Sequence, residues 1–221
     1  MRTSYHEELD SVLDRLVYMA QLAETAISEA SASLLDADLA KAEAVISNDA
    51  QLDQIHEEME YQCLSILALQ APVAGELRTI VSAIRVVFEL ARMGDLAAHI
   101  AKIARLRYPA KAVPAQFEPS FREMSEIATQ IIDLARQSLA QRDSQEAQRL
   151  AAIDARMDDL RREQFEAILA EGADVSIESA VDMALLGRYF ERYADHAVAV
   201  GRRVIYIITG EVPEGEDWPN A

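Results

Sequence analysis

The sequence predicts an all-α protein: two tandem, pseudo-repeated three-helix bundles made of six long antiparallel helices. Three observations carry this. The 221-residue chain has only 7 Gly and 6 Pro and is rich in Ala, Leu, Glu, Arg and Gln, a composition dominated by strong helix formers. Apolar residues recur in alternating steps of three and four, the spacing of one helix face. Two stretches about 100 residues apart also read as nearly the same helix. "VVFELARMGDLAAHIAKIAR" (86–105) and "LLGRYFERYADHAVAVGRRV" (185–204) each place an Arg, a bulky residue, a small residue and an Asp behind an aromatic.

The first helix is expected to start near Ser4, three residues before Glu7 in a capping-box spacing. Its stripe is Leu9, Val12, Leu16, Met19, Ala23, Ala26 and Ala30. Asp36 or Asp38 caps the second helix, whose stripe is Leu52, Ile55, Met59, Cys63 and Ile66. Cys63 lies on that stripe and reads as a small core residue, not a reactive thiol. Pro72 suits the first turn of the third helix, which carries Leu77, Ile80, Ile84, Val87, Ala91, Gly94 and Ala98. Pro109, Pro114 and Pro119 then crowd "YPAKAVPAQFEP", a linker signal.

The fourth helix shows Phe121, Met124, Ala128, Ile131, Ala135 and Leu139. "DSQE" (143–146) opens the fifth, with Ile153, Met157, Leu160, Gln164 and Ile168. The sixth runs from about Val175 to Thr209 and stops at Gly210. The organisation expected is a first bundle over 1–108, a linker over 109–119, a second bundle over 120–210 and an acidic mobile tail over 211–221. Asp49 and Asp53 align with Asp154 and Asp158 at an offset of 105, and Asp95 with Asp195 at an offset of 100. The chain therefore reads as an internal duplication of a three-helix unit, with the length difference taken up in loops.

Composition excludes several classes. A net charge of −17 repels nucleic acid and anionic membranes, so neither is an expected partner, though the local Arg202-Arg203 pair suits an acidic one. No apolar run approaches the roughly 18 residues that span a bilayer, and the start has no secretory pattern. One cysteine rules out an intramolecular disulfide and suits a reducing compartment. The expectation is a cytosolic protein that reaches the membrane only through its partners.

The chemistry lies in the carboxylates. Asp49 with Asp53, Asp154 with Asp158, and Glu191 with Asp195 are i,i+4 pairs, on one helix face at roughly 5–6 Å between Cβ atoms. Like charges so placed repel, and a cation between them removes the repulsion. If the fifth helix packs on the sixth, Asp154, Asp158, Glu191 and Asp195 converge on one site; Asp49, Asp53 and Asp95 do the same in the first half. His99, four residues beyond Asp95, adds an imidazole there. Oxygen-rich sites suit hard cations and iron. The competing reading has Arg92, Arg188 and Arg192 neutralising the acids in surface pairs worth about 0–1 kcal/mol each. His6 and His196 have no matching ligand spacing and read as surface or interface residues.

The repeated "ARMGDLAAHI" and "ERYADHAVAV", each behind a helix with a D-x-x-x-D motif, and "PVAGELRTIVSAIRV" between them, resemble the PhoU family of phosphate-uptake regulators. The resemblance spans about residues 5–210, and "LQAPVAGELR" with "FERYADHAVAVGRRVIY" looks most like the family's actinobacterial branch. It implies two three-helix bundles side by side, and iron, zinc, manganese or magnesium bound at E/D-x-x-x-D motifs. Those motifs fall on Asp49 and Asp53, Asp154 and Asp158, and Glu191 and Asp195. The fourth departs from the pattern, because Ala91 stands where the family has an acid. The role implied is a negative regulator of phosphate uptake and of the phosphate-starvation response. It would act as an adaptor between the ATPase subunit of the phosphate ABC transporter and a sensor histidine kinase, with a homodimer expected. Arg78, Arg92, Arg188 and Arg192 are the expected partner-binding residues.

No nucleophile–base arrangement or phosphate-cradling glycine loop is visible, so no enzymatic activity is expected. The alternative is a carboxylate-bridged metalloprotein or metalloenzyme of the ferritin-like kind. That architecture needs Glu-x-x-His on two helices, and only Asp53-x-x-His56 comes near it. A third reading is a structural bundle whose acids only solvate it.

Overall fold

The computed structural model describes residues 2–211, with side chains from Glu7 onward. Among these residues there are six long helices, one short helix and no strand: α1 (Arg2–Asp36), α2 (Leu39–Gln70), α3 (Ala74–Arg107), α4 (Glu118–Gln141), α5 (Ser144–Gln148), α6 (Leu150–Leu169) and α7 (Ile177–Thr209). The cap expected at Ser4 and the surface role of His6 fall on side chains outside the described residues, and α1 itself begins at Arg2. The expected tail, from 212 on, also lies outside them.

Helix boundaries follow local chemistry. The Asp38 carboxylate accepts from the Lys41 amide at 3.1 Å, capping α2. Asp143 accepts from the Gln145 and Glu146 amides and starts α5. The Ser176 hydroxyl accepts from the Ser179 amide at the head of α7. Gly210, at φ 79°, closes α7 in a left-handed conformation that a glycine adopts without strain. Pro72 lies just before α3, not in its first turn, because Val73 is the cap residue. The fifth helix of the sequence is divided: Arg149 separates α5 from α6. There Leu150 packs into the gap left by Gly201 of α7, so closely that a Cβ on Gly201 would lie 2.3 Å from its Cδ1.

The expected stripes form the core or pack half-buried against it, as Leu9, Ala26, Ile84, Ile153 and Ile168 do, with one exposed exception. Val12, Leu16, Met19, Met59, Cys63, Ile80, Phe121, Ile131 and Met157 are fully buried. Burial pushes the Cys63 thiol up to about 11, which suits an inert core residue. Leu77 is 41% exposed; it sits in the first turn of α3, where a helix has neighbours on fewer sides, and the buried stripe begins at Thr79 and Ile80. Gln164, placed on an apolar stripe by its position, is buried because its Nε2 donates to the Met183 carbonyl at 2.8 Å.

The two three-helix units share one core. α1 packs on α3, α3 on α7, α7 on α4 and α4 on α1, closing a four-helix ring. α2 covers the α1–α3 seam from outside, and α5 with α6 covers the α4–α7 seam. The units are fused through this ring, not merely placed side by side. Arg78 donates to the Ile207 carbonyl at one end of the α3–α7 seam. At the other end Arg107 pairs with Glu178 and with buried Asp182. These contacts make the two helices antiparallel. The proline-rich connection is packed as well: Ala112, Val113 and Phe117 are buried, the last in a 3₁₀ turn that leads into α4.

Gly187 on α7 lies tightly against α6. A Cβ there would lie 2.1 Å from Gln164 Oε1 and 3.0 Å from its Cδ. The Gly187→Ala protein is expected to lose about 1–3 kcal/mol in urea unfolding, the cost of overpacking, as Gln164 is driven off the Met183 carbonyl. An unchanged unfolding midpoint would contradict this.

Candidate functional site

The second-half acids face each other across the antiparallel α6–α7 pair. Asp154 and Asp158 stand one turn apart on α6, and Glu191 and Asp195 one turn apart on α7. Asp154 is half-buried, and its Oδ1 is enclosed with no hydrogen-bond partner. Burial, then the neighbouring Asp195 and Asp158 charges, push its carboxyl up to about 7, against the opposing pull of Arg202. Asp195 is raised by burial, then by Glu191 and Asp158. Asp158 is raised by burial, then by Glu191 and Asp159. The four groups therefore share one negative field.

Glu191 is the member that arginines hold. Arg188 donates to its Oε2 at 2.7 Å, and Arg161 Nε lies 3.5 Å from the same oxygen. The neutralisation expected from spacing thus applies to Glu191, whereas at Asp154 burial and the neighbouring acids outweigh the pull of Arg202. Arg161 was not among the residues singled out in the sequence. Its signal was its place three residues beyond Asp158, on the same helix face; its guanidinium also lies over the Phe165 ring, 5.1 Å from the centroid.

The first half repeats the plan less completely. Asp49 is half-buried and raised by burial, then by Asp95 and Asp53. It lines a cavity of about 90 Å³ with Leu22, Leu52 and Gly94. Asp53 is exposed. Arg92 donates to Asp95 Oδ2 at 2.5 Å. His99 Nδ1 lies 2.7 Å from the Asp95 backbone oxygen, not its carboxylate, and the ring packs 5.3 Å from Tyr189 of α7. Ala91 is buried, so the position matching Glu191 belongs to the core.

Of the arginines expected at a partner surface, Arg92 and Arg188 are exposed but paired with Asp95 and Glu191, and Arg192 is exposed. Arg78 is occupied within the molecule by the Ile207 carbonyl and lies over the Tyr206 ring at 5.8 Å. His196 lies at the α3–α7 seam, with Nδ1 2.6 Å from Glu89 Oε2. His56 packs edge-on against Phe88 at 6.4 Å.

Among the described residues, no three His, Cys, Asp or Glu side chains stand close enough together to hold a metal ion as placed. In charge and burial the second-half set still suits a hard cation. It has an orphaned, enclosed carboxylate oxygen and three carboxyls raised by burial and by neighbouring acids. The first-half set suits one less well, because Arg92 occupies Asp95 and Ala91 supplies no oxygen.

Fold and site together define a class: duplicated three-helix units fused through a four-helix core, each unit carrying carboxylate pairs on its outer helix hairpin. The chain belongs to the PhoU domain family, whose model matches residues 16–104 and 121–204. It is 43% identical over 217 residues to the phosphate-specific transport system accessory protein PhoU homolog 1 of Mycobacterium tuberculosis, covering 98% of each chain. It is also 43% identical to homolog 2 from that organism, over 96% of this chain and all of the relative. The crystal structure of PhoU from Pseudomonas aeruginosa superposes with a TM-score of 0.86 at 26% identity, covering 94% of this chain and all of that one. The Streptococcus pneumoniae phosphate transport system regulatory protein PhoU gives 0.86 at 24% identity, over 95% and 99%. No described helix is long and apolar enough to cross a membrane.

Proposed function

We propose that this protein is an accessory regulator of phosphate transport that restrains uptake and the phosphate-starvation response when phosphate is plentiful. It does so as a metal-binding adaptor between the transporter's ATPase subunit and a sensor histidine kinase. Full-length similarity to phosphate-specific transport accessory proteins supports the transport role. The observation that carries the metal reading is the orphaned oxygen of Asp154, whose carboxyl is raised by burial and by three neighbouring carboxylates, Asp195, Asp158 and Glu191.

Asp154, Asp158, Glu191 and Asp195 would hold the ion, which would supply the positive charge that this cluster lacks. An all-oxygen donor set favours magnesium, manganese or iron over zinc. Glu191 would exchange Arg188 and Arg161 for the ion, freeing two cationic groups on the α6–α7 face. Asp154 and Asp195 would be held ionised at neutral pH. The residues of this face thus link occupancy to surface charge, which is what an adaptor needs to present different surfaces to two partners.

Two measurements test the reading. In phosphate-replete medium, cells lacking the gene are expected to keep phosphate uptake high, and Asp154→Asn and Asp195→Ala proteins to restore repression poorly. Repression unaffected by the deletion or by the variants would overturn the role or the part played by the acids. Metal content of the purified protein should fall more in Asp195→Ala than in Asp95→Ala, because only the second half has an acid at the Glu191 position. Equal losses would contradict the assignment.

A further inference from the structure

The ring of four core helices has two seams without an outer helix, α3–α7 and α1–α4. The α1–α4 seam is an open groove of about 630 Å³. It runs from Glu24 to Asp36 on α1, about 18 Å at the helical rise, and from Asp133 back to Arg122 on α4. Its floor is mostly small residues, beside Leu35. Two of them, Ser31 and Ser125, are 5% and 7% exposed, and their hydroxyls have no hydrogen-bond partner. Most helix serines satisfy the hydroxyl on a carbonyl of the preceding turn, as Ser33 and Ser138 do here. Enclosed hydroxyls without a partner are uncommon, because each forfeits its hydration for nothing.

The rim is acidic. Glu24 and Asp133 share Arg136 at one end. At the other, Asp36 and Glu126 line the groove together with Arg122. The groove therefore carries a net negative charge, the two serine hydroxyls lie enclosed beneath it, and its mostly small-residue floor lets another helix approach closely.

We infer that the α1–α4 groove is a docking surface for a basic helix of a partner protein. The partner would lay its small-residue face on Ser31 and Ser125 and place Lys or Arg side chains against Asp36 and Glu126. Charge complementarity argues for a basic occupant, and the groove length matches about three helical turns. The surface lies on α1 and α4, apart from the carboxylates of α2–α3 and α6–α7, so its occupancy does not depend on the metal reading.

The test uses the full chain and a synthetic 15-residue helical peptide with an alanine face flanked by lysines, titrated at 0.15 M salt. Amide shifts are expected to cluster on α1 and α4 around Ser31 and Ser125. The Asp36→Lys/Glu126→Lys protein should bind roughly 10-fold more weakly, whereas Glu57→Lys/Glu60→Lys, the same charge change on exposed α2 positions, should stay within about 2-fold. Filling the floor with Ser31→Leu/Ser125→Leu should also abolish the localised shifts, with thermal melts confirming that the variant folds. Equal loss from both charge reversals would reveal diffuse attraction to an acidic protein and overturn the proposal. Shifts confined to α2 or α6 would do the same. So would a dimer in sedimentation that the leucine variant disrupts, since a second copy would then own the groove.

Discussion

Metal-free protein is expected to become more stable as the pH falls from 8 to 5.5, and the Asp154→Asn substitution to remove much of that slope. Burial and like charges raise Asp154 to about 7 and raise Asp158, Asp195 and Asp49 as well. A carboxyl whose folded pKa lies above its unfolded value takes up a proton on folding between the two. Its stabilising contribution is full below about pH 4 and is lost as the pH rises through about 7. For Asp154 the rise to about 7 corresponds to about 4 kcal/mol unscreened, reduced to roughly 2 kcal/mol because the group is only half-buried. At pH 8 the full amount is a melting shift of roughly 4–8 °C for a protein of this size, of which the span from pH 5.5 to 8 carries about half. Asp154→Asn should therefore stabilise the metal-free protein at pH 8. Adding manganese or magnesium should flatten the pH slope of the unsubstituted protein and leave the variant unchanged. Thermal melts at pH 5.5 and 8, with and without the cation, decide this. A metal-free protein that melts higher at pH 8 than at 5.5 would refute the electrostatic account.

Replacing Tyr193 is expected to be the most damaging single core change. Its side chain is fully buried, and its hydroxyl donates to the Ala23 carbonyl at 3.0 Å, joining α7 of one unit to α1 of the other. Burial holds its phenol well above the ordinary tyrosine range, so it remains a neutral donor. Tyr193→Ala removes the ring and opens a cavity, costing about 3–5 kcal/mol. Tyr193→Phe keeps the ring but leaves the carbonyl without its donor, costing about 1–2 kcal/mol. Urea unfolding should show that order. Because the two units share one core, both should unfold in a single transition. A biphasic curve, with one unit surviving in Tyr193→Ala, would show that they are energetically separate.

The repeat, the helical stripes and the acid pairs were legible in the sequence because each is a local periodicity. Leu16, Met59, Phe121 and Met157 are buried where spacing of three and four places them. Asp38, Asp143 and Gly210 end or begin helices because their preferences act within a few residues. Ala91 also announced the asymmetry between the halves. Three things were not legible, because they depend on which helices meet. One is the closed ring of α1, α3, α7 and α4, which turns two bundles into one core. Another is the choice of partners: Arg188 and Arg161 take Glu191, Arg78 turns inward to Ile207, and His99 addresses a backbone oxygen. The last is the enclosed Asp154 oxygen, with burial and acids outweighing Arg202. Helical spacing states which residues share a face. Only packing decides how much water and counter-charge reach that face, and the field at a carboxylate depends on both.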